Sequence, residues 1–197
     1  MSKVLILGAN GRSGRLLVEE ARAAGHEVTA AVRTPQPGAQ VVDLRDPASV
    51  EVALKGQDVV ISAIGPAGRK ADGLYSDAAR ALIPALDGVR LIAITSAGVR
   101  HNDPNFKPVY RILANTLMRE AYDDMRAMES LVAAADLDWT FVRPTRLLDE
   151  PATGTYRVED NQTPVGGWQI TRTDLARFVI DEITTQAWLH RQPTLAE

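Results

Sequence analysis

The sequence contains no cysteine, and this absence excludes disulfide bonds, catalytic thiolates and cysteine-ligated metals. Its histidines, His26, His101 and His190, are scattered without the spacing of metal ligands, so we expect no metal site. No apolar run approaches the about 18 residues that a membrane span needs. An apolar strand pattern begins by residue 3, ahead of any signal-peptide pattern. We therefore expect a cytoplasmic protein with no membrane partner.

Long basic runs are also missing, and aromatic residues make up only 5% of the chain. With a net charge of −3, the chain has no general attraction for nucleic acid, and we expect a small-molecule substrate instead. Its 197 residues, 45% of them hydrophobic, suffice for one globular domain, which we predict over residues 1–197. The composition leaves open whether the protein is a monomer or a small homo-oligomer.

Three glycines at intervals of three follow a short apolar run near the start of the chain. Residues 4–7 are typical of a buried parallel strand, and a helical pattern begins after Gly14. Gly8 would permit a tight turn, Gly11 would let backbone N–H groups approach a pyrophosphate, and Gly14 would let the helix pack close to the strand. This strand, turn and helix predict a dinucleotide site with phosphates at the helix N-terminus. The alternative is an ordinary glycine turn that binds no ligand.

The second strand, predicted over residues 27–32, completes a βαβ unit of about thirty residues. Sites that prefer NAD usually place Asp or Glu after this strand, to bind the ribose 2′-hydroxyl. This chain has Arg33 and Thr34 there, and a guanidinium beside a hydroxyl suits a 2′-phosphate. We therefore predict that NADP(H) is preferred over NAD(H), with Arg12 adding to the attraction. The alternative is that Arg33 is a solvated loop residue.

The alternation of strands and helices continues along the chain. It predicts an α/β fold of Rossmann type, a doubly wound parallel β-sheet with helices on both faces and a small C-terminal extension. We predict strands over 40–43, 58–62, 90–94, 138–143, 154–159 and 168–170, and helices starting at Asp46, over about 72–86, over about 111–135 and starting at a Thr173 cap. We expect the C-terminal third, from about residue 144, to form the substrate wall.

Apolar residues at steps of three and four predict the long helix over about 111–135. Its expected buried residues are Leu113, Leu117, Ala121, Met125, Met128 and Val132. We expect Pro144 to end the strand before it, because proline cannot donate to a sheet ladder. The polar loop between His101 and Val109 is either a lid or a simple connection.

Several segments together resemble the atypical short-chain dehydrogenase/reductase superfamily. Within it, the chain is most similar to the NAD(P)H-binding group that includes biliverdin-IXβ reductase/flavin reductase and the NmrA-like proteins. The segments that carry this resemblance are residues 8–14, 32–33, 43–44, 95–98, 137–144, 153–156 and 170–176. They span nearly the whole sequence.

The resemblance implies where NADPH would bind. It places the diphosphate on Asn10, Gly11, Arg12 and Ser13, the 2′-phosphate on Arg33 and Thr34, and the adenine near Asp43 and Leu44. It places the nicotinamide near Ala63, Ile64, Gly65, Thr95, Ser96 and Pro144. Arg146, just after Pro144, would face the substrate pocket.

The chain departs from many members of this superfamily because it has no Tyr-x-x-x-Lys. Tyr122 is followed four residues later by Arg126, which cannot relay a proton at ordinary pH, and Tyr110 by Ala114. Tyr122 is therefore a candidate catalytic residue whose more ordinary interpretation is packing on a helix.

Without that dyad, the sequence favours acceptors that are themselves electron-poor. We predict an NADPH-dependent reductase that transfers hydride to a flavin, quinone or tetrapyrrole-like acceptor. Ser96 would form a hydrogen bond in the site, and Arg146 would hold an anion or carbonyl. A strand-end hydroxyl and a surface charge are the alternative interpretations of these two residues. The alternative function is a non-catalytic redox sensor of NmrA-like type.

Overall fold

The computed structural model describes residues 1–66, 68, 70–106, 112 and 116–197. The strands in these residues are β1 (Lys3–Leu7), β2 (Glu27–Val32), β3 (Gln40–Val41), β4 (Val59–Ser62), β5 (Arg90–Ile94), β6 (Trp139–Pro144), β7 (Arg146–Leu148), β8 (Arg157–Asp160), β9 (Gln169–Thr171) and β10 (Pro193–Ala196). Eight of them form one sheet in the order β3-β2-β1-β4-β5-β6-β10-β8, and β7 pairs separately with β9. In the large sheet β8 runs antiparallel to β10, and the other described pairs are parallel.

The helices in the same residues are α1 (Arg12–Ala23), α2 (Pro47–Leu54), α3 (Leu74–Leu82), α4 (Arg119–Ala133) and α5 (Arg172–Thr185). Short 3-10 turns follow α3 (Ile83–Ala85) and β5 (Ala97–Val99). The start of α2 confirms its predicted signals. Asp46 accepts a hydrogen bond from the backbone N–H of Ala48 at 3.1 Å, and Pro47 occupies the first turn.

Alternate residues of β1 pack on opposite faces of the sheet. Leu5 and Leu7 belong to the apolar cluster formed with α2, α3 and α4, while Val4 and Ile6 belong to the cluster formed with α1 and α5. All four side chains are at most 1% exposed. A strand covered on both faces needs apolar residues at every position, and this explains the continuous run that the sequence shows.

The strand order reverses between β1 and β4. The connection after β1 runs through α1 on one face of the sheet, whereas the connection into β4 runs through α2 on the other face. The two connections diverge at the carboxyl ends of the strands and leave a crevice there. This architecture confirms the predicted Rossmann-type doubly wound α/β fold.

The long helix is shorter than predicted. Helix α4 begins at Arg119, and residues 116–118 form a turn, so the prediction of a helix from residue 111 was wrong over that turn. The hydroxyl of Thr116 donates to the carbonyl oxygen of Ile112 at 2.8 Å, a local bond that competes with regular helix. Leu117 is 54% exposed and does not join the core. Leu113 lies outside the described residues.

Other element boundaries also differ from the predictions, two of them at prolines. Pro144 lies within β6, opposite Leu195 of β10, so the prediction that the strand ends before it was wrong. The helix predicted over about 72–86 ends at Leu82, and Pro84 lies in the 3-10 turn that follows. The third strand covers only two residues. Strands β7 and β10 were not predicted, because three- and four-residue strands carry little periodicity.

Helix α5 begins at a cap on Thr171, two residues before the predicted cap at Thr173. The Thr171 hydroxyl oxygen accepts from the backbone N–H of Asp174 at 3.0 Å and donates to its carboxylate at 2.8 Å. That carboxylate also accepts from the backbone N–H groups of Thr153 and Gly154 and from the Thr153 hydroxyl. Burial disfavours the ionised form, but these hydrogen bonds outweigh it and hold the pKa of Asp174 below its ordinary value.

Replacing Asp174 by asparagine is expected to lower the free energy of unfolding by about 3 kcal/mol near pH 7, since an amide nitrogen would face donors that now bond a carboxylate. The folded-state pKa lies below the unfolded value of about 3.9. The contribution is therefore complete above that value and is lost as the pH falls through the folded pKa. Urea unfolding should show wild type and Asp174→Asn converging below about pH 4.

The exposed Asp181 on the same helix supplies the control, and Asp181→Asn should change the free energy by less than about 0.5 kcal/mol. A difference between wild type and Asp174→Asn that stayed constant from neutral to acidic pH would contradict the assignment of the effect to an ionised carboxylate.

Candidate functional site

A cavity of about 1290 Å³ lies at the carboxyl ends of β1, β2, β4 and β5. It exceeds the about 300–1,000 Å³ of most small-molecule sites, as an extended ligand requires. The predicted cofactor-binding residues in its lining are Gly8, Asn10, Gly11, Arg12, Ser13, Arg33, Thr34, Asp43, Leu44, Ala63, Ile64, Gly65 and Thr95. Gly14, Ser96 and Pro144 lie outside it.

The loop after β1 leaves no room for side chains at two of its glycines. Gly8 has a φ of +78°, and a Cβ on it would lie 2.6 Å from the carbonyl oxygen of Ala63. A Cβ on Gly14 would lie 2.2 Å from the carbonyl oxygen of Gly8. Gly11 caps α1 without a side-chain hydrogen bond. The helix therefore starts directly against β1 and presents an N-terminus suited to a phosphate.

Cationic side chains dominate the charged part of the lining. They are Arg12, Arg33, Arg45, Lys70 and Arg172, against the acidic residues Asp43 and Asp72. The charged residues of the lining therefore carry a net positive charge, whereas the whole chain carries a net charge of −3. Such a site favours a ligand with several negative groups.

Arg33 follows β2 at the outer end of the cavity. Its side chain has neither a hydrogen bond nor an ion pair with the residues that the structure describes. Next to it, the turn after β3 is fixed by Asp43, whose backbone N–H donates to Ser49 Oγ at 3.0 Å and whose Oδ1 accepts from the backbone N–H of Arg45 at 2.9 Å. The outer end therefore has a fixed backbone and a guanidinium available to a ligand.

Asp149, which follows β7, binds two arginines of the cavity lining. Arg12 Nη1 donates to Asp149 Oδ2 and Arg172 Nε donates to Asp149 Oδ1, both at 2.6 Å. Arg172 Nη1 also donates to Ser13 Oγ at 3.1 Å. The pKa of Asp149 is held below its ordinary value, first by the hydrogen bond from Arg172 and also by Arg12. These contacts connect the first turn of α1 with the start of α5.

Thr95 lines the inner end of the cavity, at the end of β5. Its hydroxyl donates to Glu129 Oε1 of α4 at 2.7 Å. Arg143 of β6 donates to the same carboxylate, from Nε to Oε1 at 3.1 Å and from Nη2 to Oε2 at 2.5 Å. The Glu129 and Arg143 side chains are 7% and 6% exposed. The buried pair of Glu129 and Arg143 thus holds the Thr95 side chain in place through the hydrogen bond from its hydroxyl to Glu129.

Tyr75 of α3 also lines the cavity and is buried. Asp124 of α4 accepts from the backbone N–H groups of Tyr75 at 2.9 Å and Ser76 at 3.1 Å, and so caps α3, which has no local side-chain cap. Burial first, then the nearby Asp124 and Tyr122, raises the pKa of Tyr75 to about 12. Tyr75 is therefore a neutral phenol at physiological pH.

The structure places the three predicted catalytic residues outside the lining of the cavity. Ser96 Oγ accepts from the backbone N–H of Gly98 at 3.2 Å. The Tyr122 ring lies against the same glycine, since a Cβ there would approach its Cε2 to 2.4 Å. Arg146 begins β7, exposed, with its guanidinium carbon 5.4 Å from the centroid of the Trp168 ring. The structure does not gather these three side chains at one point.

Several lining residues were not found from the sequence, namely Arg45, Lys70, Tyr75, Leu147 and Arg172. Arg45 carries a usable signal, because it follows the third strand as Arg33 follows the second. Arg172 and Tyr75 lie at the starts of α5 and α3. No local sequence motif links these two helices to the glycine turn. Only the tertiary fold brings them to the cavity.

Residues 101–106 of the loop predicted between His101 and Val109 are described. Asp103, 2% exposed, accepts from the backbone N–H and the hydroxyl of Thr163, and Asn105 Nδ2 donates to the Thr163 carbonyl oxygen at 2.7 Å. This part is therefore fixed to the segment after β8. Residues 107–109, like Tyr110 and Ala114, lie outside the described residues.

Within the described ranges, no three His, Asp or Glu side chains are grouped so that they could hold a metal ion. Two of the three histidines have other contacts. His26 Nδ1 accepts from the backbone N–H of Ser2 at 3.3 Å, and His190 Nε2 lies 3.0 Å from the carbonyl oxygen of Leu137. Among the residues that the structure describes, no helix is both long and apolar enough to span a bilayer.

The reversed strand order, the crowded glycine turn and the positive cavity together define a dinucleotide-binding Rossmann protein. The sequence model of the family described as NAD(P)H-binding matches residues 8–186, and the chain belongs to that family. This confirms the resemblance found from the sequence.

Three solved structures show the same fold over the whole chain. A Burkholderia pseudomallei protein named as a candidate exported protein is 31% identical, with a TM-score of 0.82 and complete coverage of both chains. SP1627 of Streptococcus pneumoniae TIGR4, named as a candidate NADH-flavin reductase, is 26% identical, with a TM-score of 0.81 and complete coverage of both. ChuY, an anaerobilin reductase of Escherichia coli O157:H7, is 26% identical with a TM-score of 0.80, covering 100% of this chain and 97% of ChuY. The chain is thus similar to NAD(P)H-dependent oxidoreductases.

Proposed function

We propose that the protein is a cytoplasmic NADPH-dependent reductase that transfers hydride to a planar conjugated acceptor, such as a flavin, a quinone or a tetrapyrrole. The observation that carries this proposal is the cavity, positively charged and running from Arg33 past the glycine turn to Thr95. The names of two structural neighbours, a flavin reductase and an anaerobilin reductase, support the same class of acceptor.

The preference for NADPH rests on the outer end of the cavity. Arg33 and Thr34 would hold a 2′-phosphate, and the first turn of α1 with Asn10 and Ser13 would hold the diphosphate. No carboxylate directly follows β2 to bind a ribose 2′-hydroxyl. The crowding of Gly8 and Gly14 by neighbouring backbone holds the start of α1 against β1, and this helix N-terminus would suit a phosphate.

The choice of acceptor rests on the inner end, which apolar side chains dominate. Ile64, Ile94, Met125 and Leu147 line it. Such surfaces bind a flat conjugated ring system by burial of apolar area. Arg146 lies outside the cavity lining, beside the Trp168 ring, and it is our candidate for holding an anionic group of the acceptor. Ser96 and Tyr122 would shape the turn that follows Thr95.

When bound, NADPH supplies the hydride. The acceptor takes up that hydride and one proton, and NADP⁺ is left. Burial raises the pKa of Tyr75 to about 12, so this phenol is not activated as a proton donor, and the Thr95 hydroxyl donates its proton in a hydrogen bond to Glu129. The acceptor would take its proton from bulk solvent, and the protein would accelerate the reaction mainly by holding the two reactants together.

The test mixes the purified full-length protein with NADPH or NADH and either FMN or dichlorophenolindophenol, and follows the absorbance band of the reduced nicotinamide. We expect consumption that depends on protein concentration and is faster with NADPH. Tight NADP⁺ binding without consumption of NADPH by either acceptor would contradict the reductase and favour the redox sensor.

A further inference from the structure

The shared contact of Arg12 and Arg172 with Asp149 differs from the other ion pairs of the molecule in its position. It closes a triangle between the first turn of α1, the segment after β7 and the start of α5. Ser13, the second residue of α1, accepts a hydrogen bond from Arg172. The guanidinium of a residue more than 150 positions away along the chain therefore reaches the helix N-terminus that suits a phosphate.

The three charged side chains differ in how firmly the protein holds them. The Arg172 side chain is 12% exposed, whereas Asp149 and Arg12 are 54% and 73% exposed. Exposed ion pairs contribute little to stability because water competes for both partners. Arg172 is therefore a fixed cation, and Asp149 is a partner that another anion can replace.

We infer that Arg172 is a diphosphate-binding residue supplied by the C-terminal segment, and that Asp149 is its exchangeable counter-ion. The inference rests on the proposed dinucleotide site. In the structure, the Asp149 carboxylate binds Arg12 and Arg172. A diphosphate at the start of α1 brings two negative charges and replaces that carboxylate.

The exchange has a consequence for the acceptor site. Asp149 leads into residues 150–156, which pass along the start of α5 through the contacts of Thr153 and Gly154 with Asp174. When Asp149 no longer binds the two arginines, the N-terminal end of residues 150–156 is free to move. This end lies nearest Leu147, which lines the cavity. The dinucleotide should therefore bind before the acceptor.

The test compares dinucleotide affinities of full-length variants by calorimetry at constant ionic strength. Arg172→Gln should weaken NADPH and NADH binding alike, by about tenfold, because both carry the same diphosphate. Asp149→Asn should strengthen binding of both, by about threefold or more, because a competing anion is gone. In the double variant, most of the gain from Asp149→Asn should disappear.

The sign of the Asp149→Asn effect separates this inference from a structural role. A merely structural Asp149 would hold Arg172 in place, so its loss would weaken dinucleotide binding. Arg177→Gln is the matched control, since Arg177 lies on the same helix and is paired with Glu20 at the surface, and it should leave the affinity unchanged. Asp149 is exposed, so its variant remains informative if Arg172→Gln does not fold.

The outcomes distinguish the inference from the proposed function. Weaker or unchanged binding by Asp149→Asn, in a protein that still reduces acceptors, overturns the inference alone. A loss of affinity in Arg172→Gln that affects NADPH but not NADH also overturns the inference alone. The expected affinities without any turnover would overturn the proposed reductase and leave the inference standing. Absence of binding by either dinucleotide would overturn both.

Discussion

Replacing Arg33 by glutamine is expected to lower kcat/KM for NADPH by about 100-fold and to change kcat/KM for NADH by less than about twofold. A charged hydrogen bond contributes about 1.5–3 kcal/mol, and a forked contact between a guanidinium and a phosphate falls at the upper end. Arg33 has no competing side-chain partner among the described residues, so a ligand gains the whole interaction. NADH carries a hydroxyl instead of the 2′-phosphate and gains none of it.

The measurement is a pair of saturation curves, with NADPH and with NADH, for wild type and each variant. Arg33→Lys should keep part of the NADPH preference, because an ammonium retains the charge but not the planar fork. Arg33→Glu should reduce NADPH activity below that of Arg33→Gln by repulsion. Arg22→Gln, an exposed position at the end of α1, is the control.

Two results would contradict the assignment of Arg33. An equal loss with both dinucleotides would mean that Arg33 acts on a part that they share. An unchanged preference for NADPH would mean that the 2′-phosphate is bound elsewhere, for which Arg45 and Lys70 are the next cations along the lining.

The outer half of the candidate site could be predicted because its determinants are local. The three glycines have separate physical roles, and the crowding of Gly14 against the Gly8 carbonyl confirms the expected close packing of helix on strand. Arg33 was found from its distance to that motif. The carboxyl ends of parallel strands meet at one edge, so residues after β3, β4 and β5 could be assigned to the same cavity.

The inner half depends on contacts between distant segments, and the sequence carries no signal for them. Nothing near Glu129 indicates that it accepts hydrogen bonds from both Thr95 and Arg143. Tyr75 was not noticed because its helix is capped by Asp124, which lies 49 positions further along. Tyr122 was chosen by the spacing of a motif that this chain does not have, and Ser96 by its position after β5 and by the family resemblance.

The predicted boundaries of helices and strands were wrong for a related reason. Periodicity indicates which face of a helix is buried, and Ala121, Met125, Met128 and Val132 are buried as predicted. It does not indicate where the helix starts, because a turn at residues 116–118 leaves the later periodicity unchanged. The short strand β10 forms because it pairs with β6 and β8. Its own sequence does not indicate this pairing.

The second large effect expected is on stability, at an ion pair between the sheet and α5. Arg90 Nη2 donates to Glu182 Oε1 at 2.6 Å, and the two side chains are 7% and 1% exposed. Glu182 also accepts from the Thr185 hydroxyl and from the backbone N–H groups of Ala187 and Trp188. The Glu182 carboxylate thus neutralises the buried Arg90 guanidinium. It also accepts hydrogen bonds from the backbone that follows α5.

Replacing Glu182 by alanine is expected to lower the free energy of unfolding by about 4 kcal/mol, because it leaves the Arg90 guanidinium buried without its counter-ion. The other hydrogen-bond partners of Arg90 are the carbonyl oxygen of Glu182 and the hydroxyl of Thr140, which carry no charge, and its Nε has no partner among the described residues. Urea unfolding near pH 7 measures the loss. Glu20→Ala breaks the exposed pair with Arg177 and should cost less than about 1 kcal/mol.

The double variant Arg90→Met/Glu182→Leu separates the charge from the packing at this site. Removing both charges also removes the penalty for an isolated buried ion, so the double variant should lose less stability than Glu182→Ala alone. If the double variant is as unstable as the sum of its single variants, the carboxylate acts mainly through Thr185, Ala187 and Trp188. The loss in Glu182→Ala would then reflect an uncapped end of α5, and Glu182→Gln, which keeps an acceptor, should recover much of it.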